Sequence, residues 1–250
     1  MNGTLRLLRK THRCLYLASV LFFFAGCYPL LFILARNPRR HSRRIARCRR
    51  IIGWLSSTCV GIRYRFRYET AIDWSTPCII CANHTSNLDI TAMVLLCPAD
   101  FSFMGKSELL DNPVTGLFFR TIDIPLNRQS KVSAFKAFKQ ANANLRNGRS
   151  MAIFPEGHIG EEFPPHLYDF KKGPFKLAIE TNVPIVPVVI HNAWKIFWDD
   201  AGRFGSRPGT VIIDVLTPID TAQLLPDDAD QLRTEVHMLI KKRWNSTGGL

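Results

Sequence analysis

Apolar and polar residues fall into blocks along this chain, and the block lengths separate one long apolar segment from a series of short strands and amphipathic helices. The longest block is residues 14–35, which carries no charged side chain. As a helix rising about 1.5 Å per residue it would span about 33 Å, enough for a hydrocarbon core of about 30 Å. Pro29 within it predicts a kink, so a bent or re-entrant helix stands beside a straight span. Residues 51–62 are apolar with small side chains and either lie on a membrane or pack on the body. From 63 to 69 apolar and polar residues alternate with a period of two, which predicts a strand with one polar face.

Short apolar runs at 78–82, 101–105, 122–126, 151–154, 185–190 and 210–215 predict further strands. Helical patterns lie between them. One runs from 90 to 96. A second covers 131–147, with Phe135, Phe138 and Leu145 towards the core and Gly148 as its stop. A third covers about 227–244, where Leu232, Val236 and Ile240 recur every four residues; its acidic start and basic end suit the helix dipole. Strands alternating with helices predict an α/β domain with a mixed, mostly parallel sheet flanked by helices. The expected organisation is a membrane-anchoring helical arm over residues 1–55 and an α/β domain over residues 56–250.

Charge sharpens that division. The formal net charge is +13, yet residues 1–50 alone hold Lys10 and eleven arginines with no Asp or Glu. The basic character therefore belongs to the arm, and the body is close to neutral. A basic start before an apolar run also opens secretory signals, but this run is long and the arginines after it disfavour translocation. Arg6, Arg9, Lys10 and Arg13 flank the near side and eight arginines the far side. The heavier far flank predicts a cytoplasmic domain, and a hairpin or interfacial insertion would put both flanks there. Arginines can also form a nucleic-acid arm. An apolar segment directly beside them makes anionic membrane lipids the better partner, and no nucleic acid is expected. The cysteines number seven; Cys78 and Cys81 form a C-x-x-C, but three residues apart in a strand they face opposite sides. They read as buried free thiols in a reducing cytoplasm.

The candidate chemistry begins at Asn83-His84-Thr85-Ser86-Asn87-Leu88-Asp89, between a predicted strand and a predicted helix. A neutral imidazole held by an aspartate can take a proton from a weak nucleophile such as an alcohol, with the carboxylate fixing the tautomer. By themselves the same residues also fit a loop histidine beside a helix cap, with Ser86 or Asn87 as the cap and Asp89 in the first turn. A second constellation is Phe154-Pro155-Glu156-Gly157, a strand running into a turn. Gly157 permits a left-handed backbone, and Glu156 is displayed at a strand end. His158, His166 and His191 are scattered without ligand spacing, so no metal site is expected.

Together these blocks resemble the glycerolipid acyltransferases of the 1-acylglycerol-3-phosphate acyltransferase type, which carry an H-x4-D motif, a block with a basic residue, an F-P-E-G block and a proline-flanked strand. Here these are His84 to Asp89, residues 116–128 ending in Arg128, residues 154–157, and residues 183–188. Lys106 and the pair Lys171-Lys172 also match family positions, and the resemblance runs from about 60 to 220. It implies transfer of a fatty acyl group from a thioester, acyl-CoA or acyl-ACP, to a lysolipid hydroxyl. His84 and Asp89 would be the catalytic pair. Glu156 and Gly157 would help position the acceptor, with Lys106, Arg128, Lys171 and Lys172 as candidates for its anionic headgroup. The expected partners are membrane lipids, a lysolipid acceptor, and acyl-CoA or acyl carrier protein. The thioester is a co-substrate and no cofactor is implied.

One departure bears on the acceptor. Family members commonly continue F-P-E-G with Thr-Arg, and this chain continues with His158-Ile159. Isoleucine cannot bind phosphate. Either the cations named above or His158 compensate, or the acceptor is a different lysophospholipid or a lyso-ornithine lipid. A catalytically silent lipid-binding membrane protein on the same fold is the alternative, and the intact His84, Asp89, Glu156 and Gly157 weigh against it.

Overall fold

The computed structural model describes residues 3–198 and 205–246. It opens with two long helices, α1 (Gly3–Leu34) and α2 (Pro38–Cys59), folded back through a turn at 35–37. The Asn37 side chain accepts from the Arg40 backbone N–H at 3.4 Å, and Pro38 occupies the first helical position, where a missing N–H costs nothing. α1 stays helical through Pro29. The expected boundary at residue 55 falls inside α2.

The body follows as β1 (Ile62–Tyr68), β2 (Ile79–Ala82), α3 (Leu88–Leu96), β3 (Phe101–Lys106), a 3-10 turn at Ser107–Asp111, α4 (Thr115–Thr121) and β4 (Ile124–Leu126). Then come α5 (Lys131–Arg146), β5 (Ser150–Ile153), α6 (Gly173–Thr181), β6 (Ile185–Ile190), the one-turn α7 (Ala193–Ile196), the two-residue strands β7 (Phe197–Trp198) and β8 (Gly205–Ser206), β9 (Gly209–Val215) and α8 (Ala229–Ser246). Seven strands form one sheet in the order β1-β9-β6-β2-β5-β3-β4, parallel throughout except for the antiparallel β6–β9 pair. The mixed, mostly parallel α/β architecture read from the sequence is therefore the observed one.

Both sheet faces are covered, which explains the near-continuous apolar strands. Successive residues of β2 point to opposite sides: Ile80 packs under α3, and Ile79 packs under α5, α6 and α8. Cys78 and Cys81 separate in the same way, each buried and unbridged; Cys14 and Cys59, by contrast, are exposed. Leu232, Val236 and Ile240 of α8 are buried as their spacing predicts. Phe135 is a correction: it is 71% exposed, while Ala137, Ala141 and Leu145 carry the buried face of α5.

The basic apolar arm lies against the body. On α1, His12 Nδ1 is 2.8 Å from Ser206 Oγ and Nε2 is 2.8 Å from the Val60 carbonyl, and the Ser19 hydroxyl donates to the Ser56 carbonyl at 3.0 Å. Tyr16 packs edge-on against Phe197. Phe24, Leu31 and Leu34 form a third cluster with Ile45, Cys48 and Ile52 of α2 and with Phe118 of α4. The opposite side of α1 leaves Leu7, Phe22 and Ile33 exposed. By length and composition alone, α1 is apolar enough to cross a membrane.

Candidate active site

Strands β2, β5 and β3 are neighbours and parallel, so their carboxyl ends open on one edge of the sheet. Such edges collect functional groups in open α/β sheets. Asn83, just past β2, completes the edge: its side chain donates to the Ile190 carbonyl at 2.9 Å and accepts from the Ile190 N–H at 2.7 Å. His84 follows at the mouth of the strand.

Asp89 lies in the first turn of α3 and is fully buried. One carboxylate oxygen, Oδ2, accepts from the Thr85 and Ser86 backbone N–H groups at 2.6 and 2.8 Å and sits 3.1 Å from His84 Nδ1. The helix start is thus capped by a carboxylate reaching back, and Asn87 at the cap position makes no side-chain capping bond. The geometry favours the Nδ1–H tautomer and makes Nε2 the acceptor nitrogen of the ring. Phe154 stacks on the imidazole, with ring centroids 3.9 Å apart and planes at 12°, and Phe103 continues the stack.

Glu156 is placed otherwise than expected. Its carboxylate is buried and braces two backbones: Oε1 accepts from the His84 N–H at 2.7 Å and Oε2 from the Tyr168 N–H at 2.8 Å. It does not line the cleft in front of His84; it holds the His84 loop from behind and offers the cleft no surface. Burial pushes its carboxyl up to about 7 against the two N–H donors, which favour the ionised form. Gly157 adopts φ +84, a left-handed conformation, and an added Cβ there would lie 3.4 Å from the Arg128 guanidinium carbon.

The cleft has a volume of about 310 Å³. His84, Phe154, Gly157, His158 and Ile159 form one side. Phe103, Met104, Leu109, Phe118 and Phe119 form an apolar lobe, with Lys106 and Arg128 exposed at the rim. Lys171 and Lys172 do not join it. Lys171 is exposed, with its backbone N–H donating to the Pro155 carbonyl, and Lys172 is ion-paired with Asp230 of α8. Proximity in sequence to Phe170 misleads here, because the chain has already left the cleft. Nor do the scattered histidines converge: His191 is buried 3.1 Å from Asp214, and His166 pairs with Glu162. Among the described residues no group of His, Cys, Asp and Glu is arranged to hold a metal ion.

Arg49 lines the cleft although its sequence context placed it in the lipid-facing arm. It is 8% exposed, donates to both oxygens of Asp123 at 2.8 and 3.0 Å, and lies over the rings of Phe101 and Phe103 at 4.6 and 5.0 Å. Asp123 also accepts from the Phe103 N–H at 2.9 Å. A carboxylate between two isoleucines was the available signal, since a buried charge requires a partner.

Comparison with known proteins places this geometry in context. Residues 63–191 match the family model described as Acyltransferase. The chain is 30% identical over 207 residues to 1-acyl-sn-glycerol-3-phosphate acyltransferase beta of Homo sapiens, covering 81% of this chain and 73% of that protein. It is 32% identical over 197 residues to the alpha form of Mus musculus, covering 76% and 67%. The crystal structure of the 1-acyl-sn-glycerophosphate (LPA) acyltransferase PlsC from Thermotoga maritima shares the fold, with a TM-score of 0.74 at 22% identity over 97% of this chain and 98% of that one.

Proposed function

This chain belongs to the Acyltransferase family, and we propose that it moves a fatty acyl group from a thioester, on coenzyme A or acyl carrier protein, to the hydroxyl of a lysolipid, 1-acylglycerol-3-phosphate foremost. The observation that carries this reading is the His84–Asp89 pair opening on a cleft that is apolar in one lobe and cationic at its rim. The apolar lobe suits a fatty chain, and Arg128 with Lys106 suits a phosphate.

In the reaction, the acceptor hydroxyl gives its proton to His84 Nε2 as its oxygen attacks the thioester carbonyl. Asp89 stabilises the imidazolium that forms. Collapse of the tetrahedral intermediate breaks the C–S bond, and the imidazolium returns the proton to the leaving thiolate. No covalent acyl-enzyme is needed. The brace from Glu156 to the His84 backbone keeps the imidazole in place through both proton transfers.

Ile159 lines the cleft and favours a second acceptor reading, a lysophospholipid with a larger headgroup or a lyso-ornithine lipid. The apolar side of α1 and the arginines of α2 suit association with an anionic membrane surface on the cytoplasmic side. The deciding experiment is mass spectrometry of lipids made by the purified protein from acyl-CoA or acyl-ACP and a panel of lysolipids, with His84→Ala alongside. Phosphatidic acid lost in the variant supports the first reading. A product from another lysolipid alone supports the second, and no product from any pair refutes catalysis.

A further inference from the structure

The outward face of α5 is basic, and the acyl-transfer cycle described above does not use it. Val132, Phe135, Lys136, Lys139, Ala143 and Arg146 recur at the three- and four-residue spacings that place them in one stripe, and all are exposed. The helix contains no acidic residue. Among the described residues Lys131, Lys136, Lys139 and Lys171 make no ion pair. Val132 and Phe135 are 64% and 71% exposed, a large apolar pair set among cations. A groove of about 720 Å³ runs beside the stripe between α5 and α6, lined by Phe138, Lys139 and Arg146 from α5 and by Lys176 and Glu180 from α6.

The position of this face narrows its partner. α5 packs on the sheet face shared with α6 and α8, whereas α1 and α3 cover the opposite face. A bilayer that receives the apolar side of α1 therefore lies across the sheet from α5. The stripe faces water, where unpaired cations around an exposed aromatic fit a soluble acidic protein. At about 1.5 Å per residue the stripe runs for about 21 Å, the length of a helix and longer than one cluster of cofactor phosphates can cover. Its start lies at the reaction site: the N-cap Ser130 is two residues beyond Arg128 on the cleft rim.

Building on the acyl-transfer reading, we infer that the Val132–Arg146 face of α5 docks the acidic body of an acyl carrier protein, so that its prosthetic arm delivers the thioester over the end of α5 into the cleft. Opposite charges steer the encounter, and Phe135 supplies the apolar anchor.

The test uses the full chain in lipid nanodiscs with one acyl group presented on acyl carrier protein or on coenzyme A, comparing wild type with Lys136→Glu/Lys139→Glu and with Phe135→Ser. We expect kcat/KM for acyl-ACP to fall about tenfold or more in the double variant at low salt. The acyl-CoA rate should stay within about twofold, and binding to anionic vesicles should not change. Wild type that turns over acyl-CoA but not acyl-ACP overturns the docking inference. So do an unaltered acyl-ACP rate in the variants, an equal loss with both donors, and a loss of vesicle binding, which would assign the face to lipid. Wild type inactive with both donors refutes the acyl-transfer reading, and the inference with it.

Discussion

Glu156→Gln separates a brace from an acceptor-binding group. The carboxylate receives two backbone N–H groups, from His84 and Tyr168, in a buried setting. Glutamine keeps one acceptor oxygen and turns an amide NH2 towards the other N–H, leaving a buried donor unsatisfied at a cost of about 1–3 kcal/mol. Burial acts the other way. The carboxyl is raised from 4.5 to about 7 in the folded state, so the folded protein prefers it protonated. The associated stability is fully present below about 4.5 and is lost as pH rises through about 7, which amounts to about 3 kcal/mol. Glutamine does not titrate. Between pH 5 and pH 8 the stability difference between variant and wild type should therefore move in favour of glutamine by up to about 3 kcal/mol, read from denaturant unfolding at the two pH values. In steady-state assays the brace predicts a lower kcat with little change in the acceptor KM, because His84 loses its backbone support and the cleft wall is untouched. Parallel pH dependences, or a raised KM with kcat unchanged, would refute this account of Glu156.

Other perturbations follow from the same geometry. Arg49→Met leaves Asp123 buried without its cation and should cost about 3–5 kcal/mol, while Arg49→Met with Asp123→Asn should regain much of it; thermal unfolding of the set checks this. Arg128→Ala should raise the KM for a phosphate-bearing lysolipid about tenfold and leave kcat near wild type, measured by acceptor titration. Replacing exposed Arg39, Arg40, Arg43 and Arg44 by glutamine should weaken sedimentation with anionic vesicles at low salt and spare neutral ones. Deleting residues 1–50 is a poor substitute, since it strips Leu31, Ile45 and Arg49 from the body and should yield aggregated protein on size exclusion.

What could be read beforehand depended on how local the physics was. β6 appears at the bounds its apolar run indicated, because a strand covered on both faces is apolar throughout. His84 and Asp89 were legible as a pair because a strand end and a first helical turn bring residues five apart together. Roles decided by distant parts of the chain were not legible. Glu156 looked displayed at a turn until Tyr168, twelve residues on, took one of its oxygens. Lys172 looked like a headgroup ligand until Asp230 claimed it. Phe135 has the spacing of a core residue, yet the helix rotates so that alanines meet the sheet. Arg49 could not be told from its seven arginine neighbours, since charge alone does not reveal which one is buried.

The Arg49–Asp123 clasp ties the second N-terminal helix to the α/β body. One ion of the pair lies in the segment that would be exchanged as an anchor, and the other lies in the cleft wall that would be kept as an enzyme. A chimera joined near residue 55 would pair each wall with a foreign arm and retain function only where both parents carry complementary residues at these two positions. Among descendants of this gene, drift at position 49 should be answered at position 123, so that its N-terminal helices diverge in step with the cleft wall.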